Sequence, residues 1–301
     1  MTENNRETLQ LFDLMFKYML KEASPPALVH LINGLFGTSY PPASTVTFDA
    51  TESVSADAEK LEKITSDMIV TIAGDAFLIE AQIGDDENIA LRVFQYGFAH
   101  SLRHKTDAEN VITLTLPAAR IIYWETTRKT PDKVTLRLLF PDKSPHDYEI
   151  EAFKVLKQSV ATLGERNMAL LFPFYLLKFR KAVRKPSTTS EQRKKLAGEM
   201  KALLRELADM VEEKRAARLL SGGDAAMILE RMEQMHEELY RTYAEFEETK
   251  MELQERLKTH WQDYLQQGEQ KIIGLMEQGY SLEQIKKQLM QESAQTPPQT
   301  R

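Results

Sequence analysis

Three polar side chains, Asp67, Glu80 and Gln82, stand in a segment that otherwise reads as two buried strands and a tight turn, SDMIVTIAGDAFLIEAQIG from Ser66 to Gly84. An ionised carboxylate buried without a partner costs several kcal/mol or has its pKa pushed upward, so each acid needs a reason to be there. Two carboxylates and an amide suit a hard divalent cation. Mg²⁺ takes oxygen ligands, often one or two carboxylates completed by water and substrate phosphate. Bound to a phosphodiester, such an ion polarises the phosphorus and lowers the pKa of a coordinated water. Spacing alone, D-x(12)-E-x-Q, also fits a half-buried sheet whose solvent face carries an acid or two.

Strand pairing would have to bring the three together. With Gly74 and Asp75 as a two-residue loop of type II′, Ala73 pairs with Ala76, Ile69 faces Glu80 and Asp67 faces Gln82. Opposed residues share a side of the sheet, as do residues two apart on one strand. Asp67, Glu80 and Gln82 then converge on one face, while Met68, Val70, Ile72, Phe77, Ile79 and Ile83 fill the other. A three-residue loop would break this by one register step.

The flanking pattern is α/β up to about residue 155. ETLQLFDLMFKYMLKE places Leu9, Phe12, Phe16 and Met19 at helical spacing, and ALVHLINGLFG predicts a second helix stopping near Gly34 or Gly37. Residues 38 to 62 read as irregular and polar. A helix over NIALRVFQYGFAHSLRH follows the hairpin, and ARIIYWET, KVTLRLLF and HDYEIEAF read as strands separated by Pro-Asp turns. Beyond residue 155 the pattern is helical: 155 to 184, 190 to 220, and a long run after Ser221-Gly222-Gly223-Asp224, which reads as a helix break. In that run Ile228, Met232, Met235, Leu239, Thr242, Phe246, Thr249 and Leu253 form an imperfect heptad seam, predicting a helical hairpin or coiled coil. Ser281 and Gln284 suggest a capped final helix, and SAQTPPQTR a disordered tail.

A chain of 301 residues, 42% hydrophobic and 28% charged, has the balance of a globular protein. The absence of cysteine excludes disulfides and thiolate metal sites. MTENNRETLQLF lacks the pattern of a secretory leader. MALLFPFYLLKF, interrupted by Pro173, is too short to span a bilayer and reads as a buried helix. The expectation is a cytoplasmic protein with no membrane partner. Net charge is -6, but Lys178, Arg180, Lys181, Arg184 and Lys185 open a basic stretch that reads either as a track for a DNA backbone or as a solvated linker. Nine glutamates between residues 227 and 256 would repel DNA, which suits self-association or a protein partner. His100 and His104 have the i, i+4 spacing of metal ligands, but no glutamate follows the first and no third ligand lies nearby in sequence, so a zinc site is not expected. No Gly-rich phosphate loop and no G-x-S-x-G nucleophile context are present.

The order FDLMFKYML, TSDMIV, FLIEAQIG, LRVFQYGFAHSL resembles the PD-(D/E)XK nuclease family transposases, the recombination-promoting nucleases of the Rpn type. The matching residues are Asp13, Phe16 and Lys17; Asp67; Glu80 and Gln82; Arg92 and Tyr96. The match covers roughly residues 8 to 155, and the G-Y-S-x-E-x-I segment at Gly279 to Ile285 looks like the family's short C-terminal helix. The resemblance implies an α/β, restriction-endonuclease-like core with a mixed central sheet flanked by helices, and Mg²⁺ (or Mn²⁺) held by Asp67, Glu80 and the backbone carbonyl of Ala81. Gln82 stands where the wider superfamily has a lysine; an amide can orient water but cannot neutralise developing charge. Arg92, with Tyr96 at i+4, is the candidate to supply that charge near the scissile phosphate, although the two also fit an ordinary exposed pair. Asp13 and Lys17 are peripheral, and they too fit a simple i, i+4 pair. The expected organisation is a nuclease core over 1–185, a basic linker and helix over 186–223, a long helix or coiled coil with a short terminal helix over 224–292, and a tail over 293–301. The implied activity is metal-dependent DNA endonuclease cleavage in recombination, mobile-element movement or phage defence. The alternative is a catalytically silent nuclease fold or helical adaptor working through the seam.

Overall fold

The computed structural model of the chain describes residues 3–49, 52–54, 63–65, 68–82, 84, 86–277, 281 and 284. By contacts the chain divides into two compact units, residues 1–17 with 32–159 and residues 18–31 with 160–301. No helix among the described residues is long and apolar enough to cross a membrane.

The first unit is built on a mixed six-stranded sheet in the order β1-β4-β5-β8-β10-β9. Its strands are β1 (Val46–Phe48), β4 (Met68–Ile72), β5 (Asp75–Gln82), β8 (Ala118–Tyr123), β9 (Lys133–Leu139) and β10 (Pro145–Lys154). Two further pairs stand apart from it: β2 (Glu52–Val54) with β3 (Lys63–Thr65), and β6 (Thr106–Ala108) with β7 (Val111–Thr113). β1, β4 and β5 pair antiparallel, whereas β5–β8 and β8–β10 are parallel. Between β5 and β8 runs helix α3 (Ile89–Arg103), the crossover that a parallel pair requires. β9 returns antiparallel along β10, with Val134, Leu136 and Leu138 on its less exposed side as strict alternation demands. The three strands expected after α3 are therefore present.

The hairpin turn differs from the expected one. Its central residues are Ala73 and Gly74, both at positive φ (51° and 97°), so Ile72 pairs with Asp75 and Thr71 with Ala76. Two positive φ values match the right-handed strand twist, and this outweighs the cost of placing an alanine in the left-handed region. Every cross-strand partner moves by two residues: Ile69 faces Leu78, not Glu80, and Met68 faces Ile79. A shift of two leaves the faces unchanged. Ile69 and Leu78 still share a side with Glu80, but that side is covered: Ile89, Val93 and Tyr96 of α3 pack there with Ile121, Tyr123 and Ile150. The opposite side carries Phe77 against Phe36 and Tyr40, with ring centroids 4.8 and 5.8 Å apart. Both faces are buried, as parallel pairing favours, so Glu80 does not lie on a solvent face.

Helices α1 (Glu3–Glu22) and α2 (Pro25–Phe36) form as their apolar spacing predicts, and Phe12, Phe16 and Met19 are buried. α2 ends at Gly37, whose φ of 70° lets its N–H reach the Asn33 carbonyl at 2.9 Å. The stretch expected to be irregular, 38 to 62, contributes β1 to the sheet edge, a three-residue strand too short to announce itself.

In the second unit α4 (Val160–Glu165), a 3₁₀ segment over Ala169–Leu176 and α5 (Leu177–Arg184) precede a helical bundle. The 3₁₀ segment is buried throughout. The bundle consists of α6 (Ser190–Ala216), α7 (Gly222–Tyr240) and α8 (Glu247–Glu277). Contacts Lys250–Glu237 and Gln254–Glu233 run in opposite sequence directions, so α7 and α8 are antiparallel; Arg205–Glu252 and Arg256–Asp209 run together, so α6 and α8 are parallel. Ser221 and Asp224 form a capping box that starts α7, so the predicted break is a helix start. The long run is not one continuous coiled-coil helix: it folds back at residues 241–246. Ile228, Met232, Met235, Leu239, Phe246, Thr249 and Leu253 of the seam are buried inside this unit, while Thr242 at the bend is exposed. Ser281 and Gln284 exchange the expected capping bonds, at 2.8 and 3.3 Å.

Candidate active site

Glu80 is the centre of the cluster the sequence pointed to. It lies near the end of β5, opposite Ile121 of β8, and is only 2% exposed. Its Oε1 accepts from Arg92 Nε at 2.8 Å, from a terminal guanidinium nitrogen of Arg92, and from Gln82 Nε2 at 2.9 Å. Arg92 also donates to Asp86 Oδ2 at 2.8 Å. Asp86 fixes the start of α3 as well, its other oxygen accepting from the Asn88 N–H at 2.9 Å. The loop between β5 and α3 thus sets where Arg92 stands. Burial opposes the charge on Arg92, but Glu80, Asp86 and Tyr96 together hold its pKa above the ordinary guanidinium value. The result is a buried carboxylate paired with a half-buried cation, with an amide on the same oxygen.

Of the residues expected at the site, Glu80, Gln82 and Arg92 come together. Tyr96, one turn along α3, is 8% exposed and belongs to the apolar cluster beneath the helix. Ala81, also buried, sits between Glu80 and Gln82 opposite Ile122. Asp67 and Ile83 lie outside the described residues; the ladder begins one residue after Asp67, at Met68. Lys17 donates to Asp13 at 2.7 Å, the i, i+4 pair that their spacing suggested. In α5, Lys178, Lys181 and Arg184 are exposed, as is Lys185 just after it, but Arg180 is buried and does not present its guanidinium to solvent. The helix periodicity turns Arg180 inward with Phe179 and Val183.

A second cluster lies farther along α3. His100 and His104 do have a third polar partner, Asp49, which follows β1 and whose N–H donates to the Ile69 carbonyl at 3.1 Å. Asp49 Oδ2 meets His100 Nδ1 in a short contact and His104 Nε2 at 3.2 Å, and Arg103 approaches the same oxygen at 3.6 Å. The two imidazole rings are 4.5 Å apart. Burial raises the Asp49 pKa, but the hydrogen bonds and charge of His100 and His104 outweigh it and hold the carboxyl below its ordinary range. The three residues line a cleft of about 590 Å³ with Thr47, Thr71 and Thr115. Asp49 is 51 residues from His100 in sequence and stands in a polar stretch with no pattern of its own. Only the pairing of β1 with β4 brings it there.

No family model, curated protein or solved structure matches the chain.

Proposed function

We propose that the protein is a metal-dependent DNA endonuclease with a restriction-endonuclease-like core. The observation that carries this reading is the buried Glu80 carboxylate, met by Gln82 and Arg92 beside the parallel pair β5–β8. Connectivity supports it: helix, antiparallel hairpin β4–β5 and helix α3 follow the order in which the resemblance to PD-(D/E)XK family transposases has its pieces. The side-chain donors at the cluster are oxygen and amide groups, which suit Mg²⁺ or Mn²⁺ and not a soft metal. Glu80 would hold the ion with Asp67 and the Ala81 carbonyl. The ion would supply positive charge at the phosphodiester and a water of lowered pKa.

The chain's own residues then have distinct tasks. Gln82 orients a water by hydrogen bonding but takes no proton. Arg92 supplies the charge that a lysine carries elsewhere in the superfamily, and its guanidinium pairs with a phosphate as readily as with a carboxylate. Asp86 anchors one guanidinium nitrogen and keeps Arg92 directed at the cluster. The exposed cations of α5 and its C-cap, Lys178, Lys181, Arg184 and Lys185, are the candidates for DNA-backbone contact. The setting would be recombination, mobile-element movement or phage defence.

Supercoiled plasmid incubated with the full chain and Mg²⁺ tests the proposal. The parent should nick it and Glu80→Gln should lose about 100-fold or more in rate. Equal nicking by both would remove Glu80 from the chemistry, and silence from both would favour a non-catalytic adaptor.

A further inference from the structure

Two histidines and an aspartate meet at one oxygen on the opposite half of α3 from Arg92. Along the helix the eight residues from Arg92 to His100 span about 12 Å of rise, so this cluster is separate from the one at Glu80. The ligand-capable atoms, His100 Nδ1, His104 Nε2 and Asp49 Oδ2, all lie within 4.8 Å of one another. Zinc bonds nitrogen and carboxylate oxygen at about 2.0–2.2 Å, so its ligands stand roughly 3–4 Å apart, and a small side-chain adjustment that parts Asp49 from His100 brings the three to that spacing. Three different anchor points fix it. His100 lies in α3 and His104 one turn on at its C-cap, and Asp49 is held on the sheet edge by its backbone bond to Ile69.

We propose that Asp49, His100 and His104 form a binding site for a borderline divalent metal, Zn²⁺ in the first place. The donor set decides the class: imidazole nitrogen suits Zn²⁺, Cu²⁺, Ni²⁺ or Fe²⁺, whereas Mg²⁺ and Ca²⁺ take oxygen. This metal is therefore not the ion proposed at Glu80. Three protein ligands leave a tetrahedral ion one position short, the arrangement of sites that keep a place for water or an exogenous ligand. The cleft that the three residues line gives room for it, and the hydroxyls of Thr47, Thr71 and Thr115 on its wall suit water or a small oxyanion. Charge agrees. One carboxylate and two neutral imidazoles leave a dication at +1, and with Arg103 beside Asp49 an anionic fourth ligand is favoured.

The competing account is a structural tether in which the histidines only donate hydrogen bonds to Asp49. Metal binding separates the two. Tag-free full chain is titrated with Zn²⁺ against a chromogenic chelator in excess Mg²⁺, and separately with Co²⁺, whose visible bands report tetrahedral nitrogen and oxygen coordination. The expected result is one Zn²⁺ per chain, unaffected by Mg²⁺. Affinity should fall at least 10-fold in His104→Ala and in Asp49→Asn, with loss of the Co²⁺ bands. His104 is more than half exposed, so its replacement leaves the fold intact. No stoichiometric zinc, or zinc that His104→Ala retains with unchanged affinity, overturns the proposal in favour of the tether. Plasmid nicking does not enter this measurement, so its outcome stands apart from that of the nuclease reading.

Discussion

Arg92 bridges two carboxylates, and the buried one sets the cost of losing it. Glu80 is 2% exposed and Asp86 much less protected, so Arg92→Ala takes the cation away from a carboxylate that water does not reach. Breaking such a pair from one side costs more than the pair contributes, because the remaining charge must be neutralised or left uncompensated. We expect Arg92→Ala to lower unfolding free energy by about 2–4 kcal/mol in urea titrations at pH 7. Adding Glu80→Gln in the same chain should recover part of it. Arg92→Lys should fall between, since an ammonium cannot make the forked contact to Glu80 and Asp86 together. A parent-like urea midpoint for Arg92→Ala would mean that the pair is effectively solvated. At this scale the sequence named Glu80, Gln82 and Arg92 but had no means to name Asp49.

His236 shows how an element fixes the behaviour of one side chain. It lies in α7 facing α8, where Thr249 donates to the Phe246 carbonyl and so accepts from His236 Nε2, 2.6 Å away. That bond requires a proton on Nε2, which the neutral Nε2 tautomer and the imidazolium both carry, so burial decides the charge. Burial, aided by the Lys250 charge and opposed by Glu237, pushes the His236 pKa down to about 4. In the unfolded chain it returns to about 6.5. A folded pKa below the unfolded one means that the contribution is fully present above about pH 6.5 and lost as pH falls toward 4. The shift corresponds to about 3 kcal/mol. Between pH 7.5 and 4 the parent should lose that much more stability than His236→Gln, read from urea midpoints at both pH values by circular dichroism. Identical pH slopes would show that the imidazole is hydrated in the fold. The α7–α8 hairpin itself was legible as heptad-like spacing, but not which way its apolar side faced.

For the molecule as a whole, the consequential fact is that the seam from Ile228 to Leu253 is consumed within the chain. Apolar spacing says that a helix face must be covered without saying by what. Here α7, α8, α6 and the 3₁₀ segment over Ala169–Leu176 bury its apolar residues within this unit. Leu239, 2% exposed, makes the test. Leu239→Asp should cost more than about 3 kcal/mol through a buried charge and lost packing, without changing the mass measured by light scattering. A parent that is dimeric, with Leu239→Asp a well-folded monomer, would place the seam between chains instead. For the same reason, ending the chain near residue 220 would strip the cover from Met200, Leu204 and Leu207 of α6, and such a truncation is no neutral probe of domain structure.

The sequence by itself made most of the element list legible, because helix and strand periods, Gly37 and the Ser281 cap act over a few residues and write themselves into spacing, whereas Ser221 read only as a break. It also brought Glu80, Gln82 and Arg92 into one group, since hairpin parity survives a register shift of two and α3 follows directly. Only packing decided that both faces of the β4–β5 hairpin are covered, that Arg180 turns inward, that the seam closes internally and that Asp49 meets His100 and His104. Each of these depends on which surface packs against which across many residues of intervening chain, and no local periodicity carries that information.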